Sequence, residues 1–251
     1  MSTVEICLII AAVMIGTVLQ RVSGTGVGLV VAPVLTILIG PGLGVLVTNL
    51  ATLVSGFLIM LSVWQHIDWR RYLLVGPVAV IGSFPGAWLV GQLSGAWLSI
   101  ILGSLVMIAL GLTVGARRLP VWDGRTPGLL SGFIGGFFNT TSGVAGPVMV
   151  VYSRLSQWPQ PSFAATMQPI FVTMGAASVA SKLWMGSVES ASNGWAVFGA
   201  LSTVIVCTVV AGIIVGALVT RLVAPGIARN VALTVAGLGA AGAIVRGVLQ
   251  L

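Results

Sequence analysis

The chain has 251 residues, of which 57% are hydrophobic and 6% are charged, with a formal net charge of +7. Soluble domains carry about 25% charged residues, so this composition excludes an ordinary soluble protein and indicates membrane-spanning helices. The basic residues stand singly or in pairs between apolar runs, which argues against nucleic-acid binding and is typical of a membrane-orientation signal. Cys7 and Cys207 lie inside apolar runs, so neither a disulfide framework nor a metal site is expected, and no cofactor is predicted.

The apolar segments, in chain order, are 4–20, 27–39, 43–64, 72–93, 97–116, 128–138, 143–155, 163–183, 194–218 and 230–249. Spanning a bilayer takes about 20 helical residues, and all six segments outside 4–39 and 128–155 reach that length. Each of those two regions is instead predicted to be a broken helix hairpin that enters the membrane and turns back. The fold class is therefore an all-α integral membrane protein.

Each broken element precedes three full spans, which predicts a first membrane repeat at 1–116, a cytoplasmic connector at 117–125 and a second repeat at 126–251. Two pairs of segments support this division. "SGTGVGLVVAPVL" (23–35) is similar to "TTSGVAGPVMV" (140–150) when Pro33 is set against Pro147, and "TNLATLVSG" (48–56) can be set against "TMQPIFVTMG" (166–175). The alternative is that glycine-rich membrane sequence is self-similar without any duplication.

The arginines test the topology. If each broken element enters and leaves on one side, eight arginines share one face of the membrane. These are Arg70, Arg71, Arg117, Arg118, Arg125, Arg154, Arg221 and Arg229. The positive-inside rule then favours re-entrant hairpins and places both termini outside. Because three net crossings separate the repeats, the two halves are predicted to be inverted relative to each other.

Irregular backbone at membrane depth survives only inside protein or beside a wet cavity, and paired breaks in inverted halves point to a transport site near the midplane. A half-helix that begins after a break presents free N–H groups and a positive dipole end, which suits an anion. The candidate N-caps or hydroxyl donors are Ser23, Thr25, Thr140, Thr141 and Ser142, and the glycines that would admit a ligand are Gly24, Gly26 and Gly143.

Four other polar residues complete the candidate substrate site. Asn49 and Gln168 are amides within full spans, where either a ligand contact or a helix–helix hydrogen bond would satisfy them. Asn139 lies at the second break and is a candidate ligand or cap. Arg21, the charge at the first break, could extend to the inner face or help attract an anion.

The segments "GTGVGLVVAPVL" (24–35), "TNLATLVSG" (48–56) and "GFIGGFFNTTSGVAGPVMV" (132–150), in their two-fold layout, resemble the TauE/SafE family of sulfite exporters and toluene-sulfonate permeases. The resemblance implies a transporter of sulfur-containing oxoanions, sulfite or organosulfonates, often acting in export. It also implies a multi-pass protein of the bacterial inner membrane, whose partners are a small anionic substrate and the lipid bilayer. A homodimer is left open.

The sequence also bears on three alternative functions. An intramembrane enzyme is not predicted, because no histidine or lysine lies deep in a span to activate a serine. A passive anion channel is the main alternative to a transporter. A non-transporting scaffold would need no aligned breaks and would have a closed interior.

Overall fold

The structure, a computed structural model, describes residues 3–24, 27–115, 120–122, 124–187, 194–220 and 222–251. Within these ranges the chain forms helices and no strand, so the all-α class is confirmed. The helices are α1 (Thr3–Ser23), α2 (Val27–Ile39), α3 (Pro41–Val63), α4 (Trp69–Gln92), α5 (Gly95–Gly115), α6 (Thr126–Ser142), α7 (Gly146–Leu155), α8 (Gln160–Trp184), α9 (Gly194–Val219) and α10 (Pro225–Leu249), with a short 3-10 turn at Trp64–His66. The predicted features at Thr25, Gly26, Arg117, Arg118 and Arg221 lie outside the described residues.

Each predicted apolar segment coincides with one of these helices. Among the described residues, six helices are long and apolar enough to cross a membrane: α1, α3, α4, α8 and most of α9 and α10. Two helices differ from the sequence prediction. α5, predicted as a full span, is not among these six, since its described apolar part is the shorter Gly95–Ile108. α1, predicted as one arm of a broken element, has 21 residues and a length of about 31 Å. This first arm is therefore long enough to cross, because the helix continues through Gln20 and Ser23, whose side chains are buried in protein.

The helices of the first half pack against helices of the second half. The pairs are α4 with α6, α5 with α10, α3 with α8, and α1 with α9, while α2 lies against α1, α3 and α10, and α7 lies against α5 and α6. Glycines allow the closest of these approaches. A Cβ atom on Gly136 would overlap the carbonyl oxygen of Ala79, and one on Gly82 would overlap that of Phe133. Small residues of this kind are the usual means of helix association in membranes.

The second broken element returns to the end of the molecule where it began. The backbone N–H of Trp122, before α6, donates to the carbonyl of Leu155 at the end of α7 over 2.9 Å. Arg70, Arg71 and Arg125 line one cavity of about 660 Å³ at this end. We call this end of the molecule, with those three residues, the arginine end.

Candidate functional site

The two helix breaks have the same local geometry. α1 is followed by Gly24 with φ 81°, and α6 is followed by Gly143 with φ 75°. The N–H of Gly24 donates to the carbonyl of Gln20 over 2.8 Å, and the N–H of Gly143 donates to the carbonyl of Asn139 over 2.9 Å. A glycine in the left-handed region is a common helix stop, because it satisfies a late carbonyl without a Cβ penalty. Both helices therefore end in the same way, with the stop glycine four residues after a buried amide.

This shared geometry shows which residues of the two breaks are equivalent. Ser23-Gly24 corresponds to Ser142-Gly143 as the last helical residue and the stop. The predicted alignment of the prolines is wrong, because Pro33 lies inside α2 whereas Pro147 lies in the first turn of α7.

The prediction that these serines and threonines cap the short helices is also wrong for the four of them that the structure describes. Ser23 lies in the last turn of α1, and Thr140, Thr141 and Ser142 lie in the last turn of α6. The hydroxyls of Ser23, Thr141 and Ser142 donate to carbonyls of their own helices, four residues earlier. Such back-bonding satisfies a hydroxyl within a helix, so these residues continue it instead of starting the next one. The N-cap of α7 is Ala145, which makes no side-chain capping bond.

The N-termini of the two short helices meet at one small cavity, which we call the central cavity. It is lined by Val27 and Gly28 at the start of α2, by residues 143–146 at the start of α7, and by Gln20 and Asn139. Its volume is about 10 Å³, which is about the space that one water molecule needs. Of the predicted site residues, Asn139 and Gly143 line this cavity. Thr140, Thr141 and Ser142 are buried nearby, without being among the residues that line it.

Two pairs of buried amides join the ends of α1 and α6 to the long helices. The side-chain nitrogen of Gln20 donates to Gln168 Oε1 over 2.9 Å, and we call these residues the glutamine pair. The side-chain nitrogen of Asn139 donates to Asn49 Oδ1 over 2.9 Å, and these are the asparagine pair. In this conformation Asn49 and Gln168 therefore make helix–helix hydrogen bonds, which was one of the two predicted roles.

Hydroxyls extend both pairs. Ser55 Oγ donates to Gln20 Oε1 over 2.9 Å, and Asn49 Nδ2 donates to Ser178 Oγ over 2.7 Å. Asn49 Nδ2 also donates to the carbonyl of Asn139 over 3.2 Å. Such networks suit a low-dielectric interior, because each polar group that loses its partner there is costly.

A second cavity leads from the surface to the glutamine pair. It has a volume of about 260 Å³ and is lined by Arg21, Gly24 and His66 together with Gln20 and Gln168. We call it the vestibule. Because Gln20 lines both the vestibule and the central cavity, the glutamine pair separates the two spaces.

Arg21 and Ser23 line different cavities. Arg21 Nη1 donates to Ser62 Oγ over 2.8 Å, near the end of α3, so the guanidinium lies at the mouth and not at the central cavity. Ser23 lines a separate cavity of about 270 Å³ with Arg154 and Trp158. The structure therefore does not bring Arg21 and Ser23 together with Asn139 and Gly143.

The residue that sequence reasoning missed is Gln20, which is 1% exposed. A signal was available in the sequence. "QRVSG" (20–24) and "NTTSG" (139–143) both place an amide three residues before a Ser-Gly helix end. The serine-glycine step, and not the prolines, identifies the equivalent positions.

The family model described as "Sulfite exporter TauE/SafE" matches residues 8–243, nearly the entire sequence. No curated protein and no solved structure matches the chain. The matched range includes both helix breaks, both amide pairs and the vestibule.

Proposed function

Because the chain belongs to the sulfite exporter TauE/SafE family, a family of membrane transporters and not of enzymes, we propose that it exports sulfite or an organosulfonate. The anion binds between the N-termini of α2 and α7 at the central cavity. One observation carries this proposal: the first residues of both half-helices line the same cavity.

The groups around the central cavity suit an anion. Each half-helix N-terminus presents backbone N–H groups and the positive end of its dipole. The amides of Gln20 and Asn139 can add N–H donors at the same place. None of the described residues that line the cavity is a carboxylate, so a cation would find no charged ligand there.

The closed central cavity supports a transporter with more than one conformation. A space of about 10 Å³ holds no sulfite or sulfonate, so binding requires the breaks to separate. A passive channel, the alternative function, needs a continuous path, which the glutamine pair interrupts here. A closed interior also suits a scaffold, but membership of a transporter family argues against that alternative.

The proposal includes two inverted repeats, 1–116 and 126–251, joined by a cytoplasmic connector at 117–125, in the bacterial inner membrane with both termini outside. The helix pairs support this arrangement. If α1–α5 correspond to α6–α10, then the pair α1–α9 is equivalent to α6–α4, and the pairs α3–α8 and α5–α10 are each equivalent to themselves. The proposal needs only one chain, because both breaks belong to it.

Thermal-shift measurements on the purified protein test the substrate class. The panel contains sulfite, methanesulfonate, toluenesulfonate, sulfate, acetate, a divalent metal ion and an alkylamine. We expect sulfite or a sulfonate to raise the melting temperature, because a ligand at 100 times its Kd stabilises the folded state by about 2.7 kcal/mol. Stabilisation by the metal ion or the amine, with none by any anion, would contradict the proposed function.

Transport in proteoliposomes then separates the transporter from the channel. We expect saturable uptake of labelled sulfonate that is accelerated by unlabelled sulfonate on the opposite side. An ohmic current with no such counterflow would instead support the passive channel.

A further inference from the structure

One face of α8 follows the proposed substrate path. Gln168, Phe171, Gly175, Ser178 and Lys182 recur at intervals of three or four residues, which places them along one side of a helix. Gln168 lines the vestibule and Phe171 lines the central cavity. A Cβ on Gly175 would lie 2.9 Å from the carbonyl oxygen of Asn49, and Ser178 bonds the Asn49 side chain. The line begins at the vestibule and ends at Lys182, about 21 Å further along the axis.

Lys182 is completely buried in protein, with 0% of its surface exposed. It lies two residues before the end of α8. A lysine near the end of a membrane helix usually extends its ammonium to water, but the side chain of Lys182 does not reach solvent. Ser178, one turn earlier on the same face, and Ser181, directly before it, are also buried.

The amine of Lys182 has no hydrogen-bond partner among the described residues. This sets it apart from Gln168 and Ser178 on the same face, whose polar atoms are all engaged across the helix interfaces. Burying a positive charge without a partner is among the costliest arrangements in a protein. Ionisable groups within membrane helices that lack a structural partner are typical of substrate and ion pathways.

A second buried group without a partner lies at the other end of the asparagine network. Thr140, which follows Asn139, has a buried hydroxyl with no hydrogen-bond partner in the described part of the chain. The hydrogen-bonded series Asn139–Asn49–Ser178 thus has an unsatisfied hydroxyl beside one end and an unsatisfied amine one helical turn beyond the other. A lysine side chain reaches about 6 Å and leans toward the helix N-terminus, so Lys182 Nζ can reach the level of Ser178.

Resting on the proposed function, we propose that Lys182 is a further anion-binding residue of this transporter. Its Nζ supplies the cationic partner for the sulfite or sulfonate on the side of the asparagine pair that faces away from the vestibule. An oxoanion suits the amine of Lys182, because its oxygens accept charge-assisted hydrogen bonds from an ammonium. The substrate therefore meets Arg21 and the glutamine pair first, then the N-termini of α2 and α7, and finally Lys182.

The test compares Lys182→Met, which keeps the size of the side chain and removes its charge, with Lys182→Arg, which keeps the charge. Arg246→Met is the matched control, because Arg246 is also a basic residue of a membrane helix but donates to the carbonyl of Thr36. Isothermal titration with methanesulfonate and sulfite gives the affinities. Melting of the ligand-free proteins gives the stabilities, and Lys182→Gln makes the same comparison if Lys182→Met does not fold.

We expect Lys182→Met to raise the Kd for methanesulfonate about tenfold or more, the loss of one charge-assisted hydrogen bond. Its melting temperature without ligand should equal or exceed that of the wild type, since an unpartnered buried amine has been removed. Lys182→Arg and Arg246→Met should retain most of the affinity. An unchanged Kd in Lys182→Met, with binding intact in the wild type, overturns the role of Lys182 alone. Absence of any anion binding by the wild type overturns the proposed function, and this inference with it.

Discussion

The side chain of Gln20 is the contact between the vestibule and the central cavity. In Gln20→Leu, Gln168 Oε1 loses its donor and Ser55 loses an acceptor, while both remain buried. We expect the free energy of unfolding to fall by about 1–3 kcal/mol, because Gln168 Oε1 is left buried without a donor, whereas Ser55 keeps its bond to the carbonyl of Thr52. Transport should fall further than stability alone explains, because the amide also faces the anion. Denaturation and proteoliposome uptake measure the two effects.

Gln65→Leu is the control for this change, because Gln65 is exposed in the turn before α4. It should alter neither property. A Gln20→Leu protein that transports at the wild-type rate would remove Gln20 from the substrate path and leave it a purely structural residue.

Arg21 is expected to act on the rate of anion capture and not on the choice of anion. Its guanidinium lies in the vestibule, bonded to Ser62, while the central cavity is lined by other residues. Arg21→Gln should therefore lower uptake at low ionic strength and have little effect at high salt, where such attraction is screened. Uptake competition among sulfite, sulfonates and sulfate at two salt concentrations measures this. A changed order of preference among these anions would show that Arg21 contacts the bound substrate.

At the residue scale, the sequence predicted which residues are polar and buried better than it predicted their partners. Asn139, Gly143 and Gln168 were identified as candidate site residues for two reasons. A buried amide within a membrane helix needs a hydrogen-bond partner, and a break in a membrane helix needs protein or a wet cavity around it. Whether a serine caps the next helix or ends the previous one depends on where the backbone turns. The burial of Lys182 could not be predicted, because it depends on which helices surround the end of α8.

At the scale of helices, the contact between the two half-helices depends on one glycine. A Cβ on Gly28 in α2 would overlap the carbonyl oxygen of Gly143, before α7. Gly28→Ala should therefore push the two N-termini apart, lower stability by about 1–3 kcal/mol as overpacking does, and abolish anion binding. Gly42→Ala is the control, since its Cβ would meet no atom within 4 Å. Melting temperature and sulfonate titration check both variants, and normal binding by Gly28→Ala would mean that the anion binds elsewhere.

The helices themselves were predictable because apolar run length maps almost directly to helix length in a membrane. Both short helices, α2 and α7, were recognised in this way. The length of α1 was underestimated because it too was read from an apolar run. Polar Gln20 and Ser23 end the apolar run, but they do not end the helix, because neighbouring helices bury them. The pairing of α4 with α6 depends on backbone approach at glycines, and no pattern within one helix specifies its partner.

At the scale of the whole molecule, several chain segments converge at the arginine end. Arg71 Nη1 donates to Ser156 Oγ over 2.8 Å and its guanidinium lies 4.7 Å from the ring centre of Trp158, next to the start of α8. The backbone N–H of Asp68 donates to Thr166 Oγ1 over 2.8 Å. α8 therefore starts at the arginine end and, with 25 residues, extends about 38 Å away from it. Residues before α6 and residues after α8 should then lie on opposite sides of the membrane.

Cysteine labelling tests this topology. Val121→Cys and Met185→Cys are introduced singly into a background in which Cys7 and Cys207 are serine, since both native cysteines are exposed. The positive-inside rule places the arginine end in the cytoplasm. A membrane-impermeant thiol reagent should therefore label Met185→Cys in intact cells and Val121→Cys only after the membrane is permeabilised.

The cysteine-free background controls for unspecific labelling, and retained sulfonate uptake shows that each variant is folded. Labelling of both positions from the same side would contradict the inverted repeats, because α8 would then not cross, and the two half-helix N-termini could not meet from opposite faces of the bilayer.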